Sequence, residues 1–179
     1  MKSAVKAGSF ILIRIPKDAS RAFLIAARIL KKEITERIDL QVLILQGDAS
    51  SSPEASLSIR LETLESVSGE GSIQVEPPIR ILPFSDYAEH INLRILEGRF
   101  PEILVCCGSE NSLIQGVGKL WLFFQLHEEC LEWEMTSADF QPLNPRRGCF
   151  FRGDIQKQRM QDYWKDIVNQ QTLWGNNLI

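Results

Sequence analysis

The chain has 179 residues, 44% hydrophobic and 24% charged, the balance of a globular protein able to bury a core of its own. Twenty Lys and Arg against 23 Asp and Glu leave a net charge of −3, which excludes a surface that is basic all over and attracts nucleic acid indiscriminately. The length suits one domain with a small appendage.

The first apolar run, Phe10 to Ile13, is interrupted by Arg14. It is too short for the apolar stretch of a signal peptide, and no later run is long enough to span a bilayer, so a cytoplasmic protein without membrane contact is expected. Ser9 to Pro16 (SFILIRIP) reads as an Ile-rich strand ended by proline. The following stretch turns helical. Asp18 or Ser20 can cap it, and Ala22, Ile25, Ala26, Ile29 and Leu30 form an apolar stripe that Phe23 and Ala27 widen. Ile38 to Gly47 is the next strand, and the unbroken apolar run Val42 to Leu45 predicts cover on both faces. Together these make a βαβ unit with parallel strands.

Asp48 to Ser56 is small and polar, a loop. The alternation at Leu57, Ile59 and Leu61, then at Ile73 and Val75, with SGEG between, predicts a β-hairpin inserted near residues 57–76. Ser85 or Asp86 caps a predicted helix that ends at Gly98, with a strand as the alternative because Ile91, Leu93 and Ile95 also alternate. Glu102 to Gly108 is a core strand. A helix to about Glu128 and a strand Cys130 to Met135 follow, and a hairpin over residues 120–135 is the alternative. Residues 137–148 read as a loop, and a terminal helix begins at Asp154 with Met160, Tyr163, Trp164, Ile167 and Val168 on one side.

Alternating strands and helices predict a three-layer α/β sandwich, Rossmann-like, with a mostly parallel sheet, the hairpin insertion and the C-terminal helix. Residues 1–140 make the Rossmann-like domain, and residues 141–179 a basic loop plus a helix packed on it or used for a partner. Open sheets of this kind bind ligands beyond the carboxyl ends of their strands. Two polar turns fall there: Lys17, Asp18 and Ser20 after the first strand, and Ser109, Glu110, Asn111 and Ser112 after the strand at 102–107. A helix start offers free N–H groups to an anion, but Ser and Asn are also ordinary caps, and Glu110 would repel a bare anion.

Other motifs carry less. GVGK lacks the glycine and the Ser or Thr of a phosphate loop, no dinucleotide fingerprint occurs, and CGSEN is not a nucleophile elbow. Neither a cofactor nor a metal is therefore expected. Cys106 and Cys107 are adjacent on a strand and point to opposite faces, Cys130 and Cys149 stand apart, and all four are read as reduced thiols. His127 in HEECLEWE matches no metal-ligand spacing. The basic and aromatic cluster Arg146, Arg147, Phe150 and Arg152 suits RNA or a protein partner, or a solvated loop whose phenylalanines pack inward.

The order strand, polar turn, helix, short strand in ILVCCGSENSLIQGVGKLWLFFQLHEECLEWEM, after the opening FILIRIPKDASRAFLIAARIL, resembles the CARF domain, the CRISPR-associated Rossmann-fold sensor. The resemblance implies a dimer that binds a cyclic oligoadenylate at the carboxyl ends of its strands and switches an attached nuclease. The expectation is thus a non-catalytic binding module, self-associating or part of a complex, sensing a small polar or nucleotide-like ligand. The alternatives are a structural subunit of an RNA-binding or CRISPR-type assembly, and a small hydrolase or transferase with His90 or a carboxylate as base.

Overall fold

A computed structural model describes residues 2–47, 55–64, 89–96, 100–127, 129–135 and 137–141, and positions 167, 168, 170, 172 and 173. In chain order the elements are β1 (Lys2–Lys6), β2 (Phe10–Ile15), α1 (Arg21–Thr35), β3 (Gln41–Gln46), β4 (Leu57–Thr63), β5 (Ile91–Leu96), β6 (Glu102–Cys107), a 3-10 turn (Glu110–Ser112), α2 (Leu113–Trp121), β7 (Phe124–His127), β8 (Cys130–Glu134) and β9 (Ser137–Phe140). The described positions from 167 to 173 are helical.

Six strands form the main sheet in the order β3-β2-β4-β6-β5-β9, and β1-β8-β7 form a second, three-stranded sheet. The pairs β2–β3, β2–β4 and β4–β6 are parallel, whereas β5–β6, β5–β9, β1–β8 and β7–β8 are antiparallel. The predicted Rossmann-like sandwich with a mostly parallel sheet is therefore not what forms. The main sheet is mixed, the small sheet is wholly antiparallel, and α1 and α2 pack against each other on the same face of the main sheet.

That face is apolar. Ile11, Ile13, Leu57, Ile59, Leu61, Leu93, Ile103, Val105 and Cys107 project into a core shared with Phe23, Ala26, Ala27, Leu30 and Ile34 of α1 and with Leu113, Val117 and Leu120 of α2. The other face of the same strands carries charge. Arg14, Arg60 and Arg94 lie on one cross-strand row, with Leu104 between the last two. Arg60 Nε stands 3.3 Å from Glu62 and 3.1 Å from Glu102, and Arg14 reaches Glu102 at 4.0 Å. Arg60 Nε and Glu102 Oε1 are both buried, and their contact is an ion pair rather than a straight hydrogen bond.

This polar face explains several departures from the sequence expectations. Leu57–Thr63 alternates although it lies at the sheet centre, because one side meets α1 and α2 and the other holds Ser58, Arg60 and Glu62. It is a parallel strand and not the first limb of an inserted hairpin; the second limb lies outside the described residues. Ile91–Leu96 is a strand rather than a helix, for the same reason: Ile91 and Leu93 face the core while Asn92 and Arg94 face the charged side. The uninterrupted run in β3 does not mean two covered faces, since among the described residues β3 is a sheet edge and Leu43 is 51% exposed.

Gly116 and Gly118, costly in an isolated helix, are what lets α2 sit this close to its neighbours. A Cβ on Gly116 would lie 2.6 Å from Cys107 Sγ, and one on Gly118 would lie 1.7 Å from the carbonyl oxygen of Leu173. The helix ends at Trp121, short of the expected Glu128, and the chain enters a β7–β8 hairpin. There Phe124 and Trp133 stand opposite each other and are both buried, an arrangement that continuing the helix would break. β1 and β9 are strands with little sequence signal. Val5 is the one buried apolar side chain described in β1, and β9 is four residues long with Asp139 in it.

Candidate functional site

Because β2 and β6 both run parallel to β4 between them, their carboxyl ends reach the same rim of the sheet. β3 ends there too, and antiparallel β5 begins there, where the Gly108 N–H donates to the His90 carbonyl at 2.7 Å. The rim thus gathers the turns after β2 and β6 and the end of β3 at Gly47.

The loops are tied to one another. Ser20 caps α1, its hydroxyl accepting from the Ala22 N–H at 3.2 Å and donating to Glu110 Oε2 at 2.6 Å. Gln46 Nε2 donates to the Lys17 carbonyl at 2.7 Å, and Gly47 turns the chain beside Lys17 with φ +84, a conformation that suits glycine. Ser112 is buried and its hydroxyl is spent locally, donating to the Ser109 carbonyl at 2.8 Å and accepting from the Ser109 N–H at 3.3 Å.

The seven rim residues therefore divide. Ser20 and Ser112 hold the loops in shape, Ser109 is half-buried, and Lys17, Asp18, Glu110 and Asn111 are exposed. An ammonium, two carboxylates and an amide on one rim suit a ligand that both donates and accepts hydrogen bonds, rather than a bare anion. Arg146, Arg147, Phe150 and Arg152 lie outside the described residues.

Two thiols lie close to this rim. Burial pushes Cys106 up to about 12, helped by Glu62 and opposed by Arg94 and Arg60, and burial pushes Cys107 higher still. Both are protonated at neutral pH and are poor nucleophiles. As expected, they face opposite sides of the sheet, Cys107 toward α2 and Cys106 toward the charged face. Among the described residues no group of three or more His, Cys, Asp or Glu side chains is placed to hold a metal ion.

The charged face was not anticipated as a unit. At its rim end His90 Nε2 lies 3.4 Å from Asp139 Oδ1, Asn92 Nδ2 donates to the same oxygen, and Arg94 Nε donates to Asn92 Oδ1 at 2.6 Å. Its signal was present in the alternating LSIRLE and INLRI, where every second residue is polar. A cleft of about 250 Å³ lies at the other end of α1 from the rim, lined by Ile29, Lys32, Glu33, Glu36, Arg37, Gln170 and Leu173. Glu33, buried there, accepts from Arg37 at 2.6 Å and from Gln170 at 3.0 Å, so its carboxylate is occupied. No described helix is long and apolar enough to cross a membrane.

No family model matches the chain, and no curated protein matches it in sequence. In fold it is similar to part of a GH20 exo-β-N-acetylglucosaminidase from Vibrio harveyi, an inactive mutant, with TM-score 0.55 and 12% identity, over 97% of this chain and 22% of that one. A chitobiase from Flavobacterium johnsoniae matches with TM-score 0.45 and 17% identity, over 82% of this chain and 20% of that one. A family GH115 4-O-methyl-α-glucuronidase matches with TM-score 0.47 and 11% identity, over 81% and 19%. The first match shows a shared fold, one that occupies 22% of the enzyme in which it occurs.

Proposed function

We propose that the chain is a non-catalytic binding module that takes a small polar or nucleotide-like ligand, cyclic oligonucleotides included, at the carboxyl rim of its main sheet. The observation that carries this reading is the Ser20–Glu110 hydrogen bond of 2.6 Å. It ties together the loops of two strands separated by β4, and so sets Lys17, Asp18, Glu110 and Asn111 along one edge before any ligand arrives. Preorganised polar groups lose little entropy on binding. The thiols nearest the rim are held protonated, which favours binding over thiol chemistry there.

A thermal-shift screen with nucleotides and cyclic oligoadenylates tests it. A ligand that prefers the folded state stabilises by about 2.7 kcal/mol at a hundredfold excess over Kd. Glu110→Ala and Lys17→Ala should abolish that gain while changing the unliganded stability by no more than about 0.5 kcal/mol. If no compound shifts the melting point, the reading gives way to the assembly-subunit alternative built on Arg146, Arg147, Phe150 and Arg152.

A second reading is favoured by one comparison. The fold covers nearly all of this chain and 22% of a GH20 exo-β-N-acetylglucosaminidase. A non-catalytic domain of a longer carbohydrate-active protein would account for that proportion. N-acetylglucosamine oligosaccharides in the same screen separate the two, because each reading predicts a different set of stabilising compounds.

A further inference from the structure

β3 (Gln41–Gln46) closes one edge of the six-stranded sheet, and among the described residues it pairs with β2 alone. Half of its backbone N–H and C=O groups consequently point away from the sheet, a ready template for another strand. Proteins usually blunt such an edge with charge, proline or brevity. The opposite edge is blunted: β9 has four residues and carries Asp139, held by His90 and Asn92. β1, an edge of the small sheet, ends on the exposed Lys6. β3 has none of these devices. Its sequence QVLILQ contains no charge and no proline, and Leu43 is 51% exposed on the polar face with Leu45 two residues further along.

We propose that β3 is the self-association edge of this protein, where a second copy of the chain lays its own β3 antiparallel to the first and continues the sheet across a two-fold axis. An axis perpendicular to the sheet keeps the polar faces of both copies on the same side, so each residue must oppose one of its own parity. Ile44 opposite Ile44 of the partner subunit meets this rule. It places Leu43 opposite Leu45 of the partner subunit and Val42 opposite Gln46 of the partner subunit. The exposed Leu43 is then covered, and no like charges meet, as they do when a charged strand pairs with itself. The seam is self-complementary, since QVLILQ brings no charge into it and lays Leu43 on Leu45 of the partner subunit.

The whole chain is examined by sedimentation equilibrium across the micromolar range, with circular dichroism to check the fold. The wild type should show dimer mass, and Leu43→Lys should raise the dissociation constant by at least about tenfold, because a lysine at an edge opposes pairing. A second measurement does not depend on how Leu43→Lys folds. With Cys130 and Cys149 replaced by serine, Ile44→Cys should form an interchain disulfide under mild oxidation. Gln41→Cys should not, since its two copies stand about 20 Å apart in this register. A wild-type chain that is monomeric, alone or bound to an unrelated strand, overturns the proposal. So does cross-linking at 41 that equals cross-linking at 44.

Discussion

Ser20 Oγ donates a hydrogen bond of 2.6 Å to Glu110 Oε2, joining the cap of α1 to the turn that precedes α2 across 90 positions of sequence. The two side chains have different duties. Ser20 also satisfies a helix N–H, whereas Glu110 is exposed and has no such structural role. Ser20→Ala should therefore cost about 1 kcal/mol, the usual loss for a cap, and lower Tm by about 2–4 °C. Glu110→Ala should cost less than about 0.5 kcal/mol. Urea denaturation of both variants and the double variant gives their coupling. Strict additivity would mean that the bond does not form in solution.

Gly116→Ala and Gly118→Ala set helix propensity against packing. Alanine gains about 1 kcal/mol of helix propensity, but overpacking costs about 1–3 kcal/mol. At Gly118 the obstacle is the Leu173 backbone at 1.7 Å, which cannot rotate away as a flexible side chain can. Gly118→Ala should loosen the segment that holds Gln170 and Leu173 and speed limited proteolysis there. Gly116→Ala should lower Tm without that local effect. Two stabilised variants would refute the close packing of α2.

The raised thiols predict an alkaline weakness. The unfolded chain loses a thiol proton near pH 9, while folded Cys106 keeps its proton up to about 12 and Cys107 higher still. Above pH 9 the unfolded state thus binds fewer protons than the folded one, and stability falls as pH rises. The thiol contribution is fully present below about pH 9 and is lost as pH climbs toward the folded value. Tm measured from pH 7 upward should drop more steeply in the wild type than in Cys107→Ala. At neutral pH an alkylating reagent should modify Cys130, which is half-buried, before Cys106 or Cys107.

Arg60 joins Glu62 and Glu102 on the charged sheet face, with side chains between 17% and 25% exposed. Removing it leaves the inner oxygen of Glu102 with Arg14 at 4.0 Å. Arg60→Leu should cost about 2 kcal/mol, between the values for exposed and buried pairs. Arg60→Leu combined with Glu102→Leu should recover part of the loss, since both charges are then gone. Guanidinium melts of the two variants decide it.

The single strands around the rim were legible. β2 and β6 appear as apolar runs followed by small polar residues, and Ser20 appears as a cap, because these depend on a few neighbouring residues. β5 was harder. Ile91, Leu93 and Ile95 carried the period of a strand, but Ser85, Asp86 and Gly98 resembled helix ends, and local rules cannot weigh one signal against the other. α2 was placed with its end wrong, since Phe124 opposite Trp133 across a hairpin is a contact that no helical spacing encodes.

What the sequence determined by itself was local: that β2, β3, β4, β6 and β8 are extended, where α1 begins, and that two polar loops follow apolar strands. Alternation reported that one side of a strand is covered by apolar neighbours, and it could not report which strand lies beside it or in which direction. Tertiary structure decided the rest: β4 at the centre, β5 reversed against β6, a second sheet face that carries Arg60 with Glu62 and Glu102, and Ser20 in contact with Glu110. The reason is that periodicity measures burial residue by residue, whereas strand order and long-range hydrogen bonds depend on how the whole chain buries its apolar surface at once.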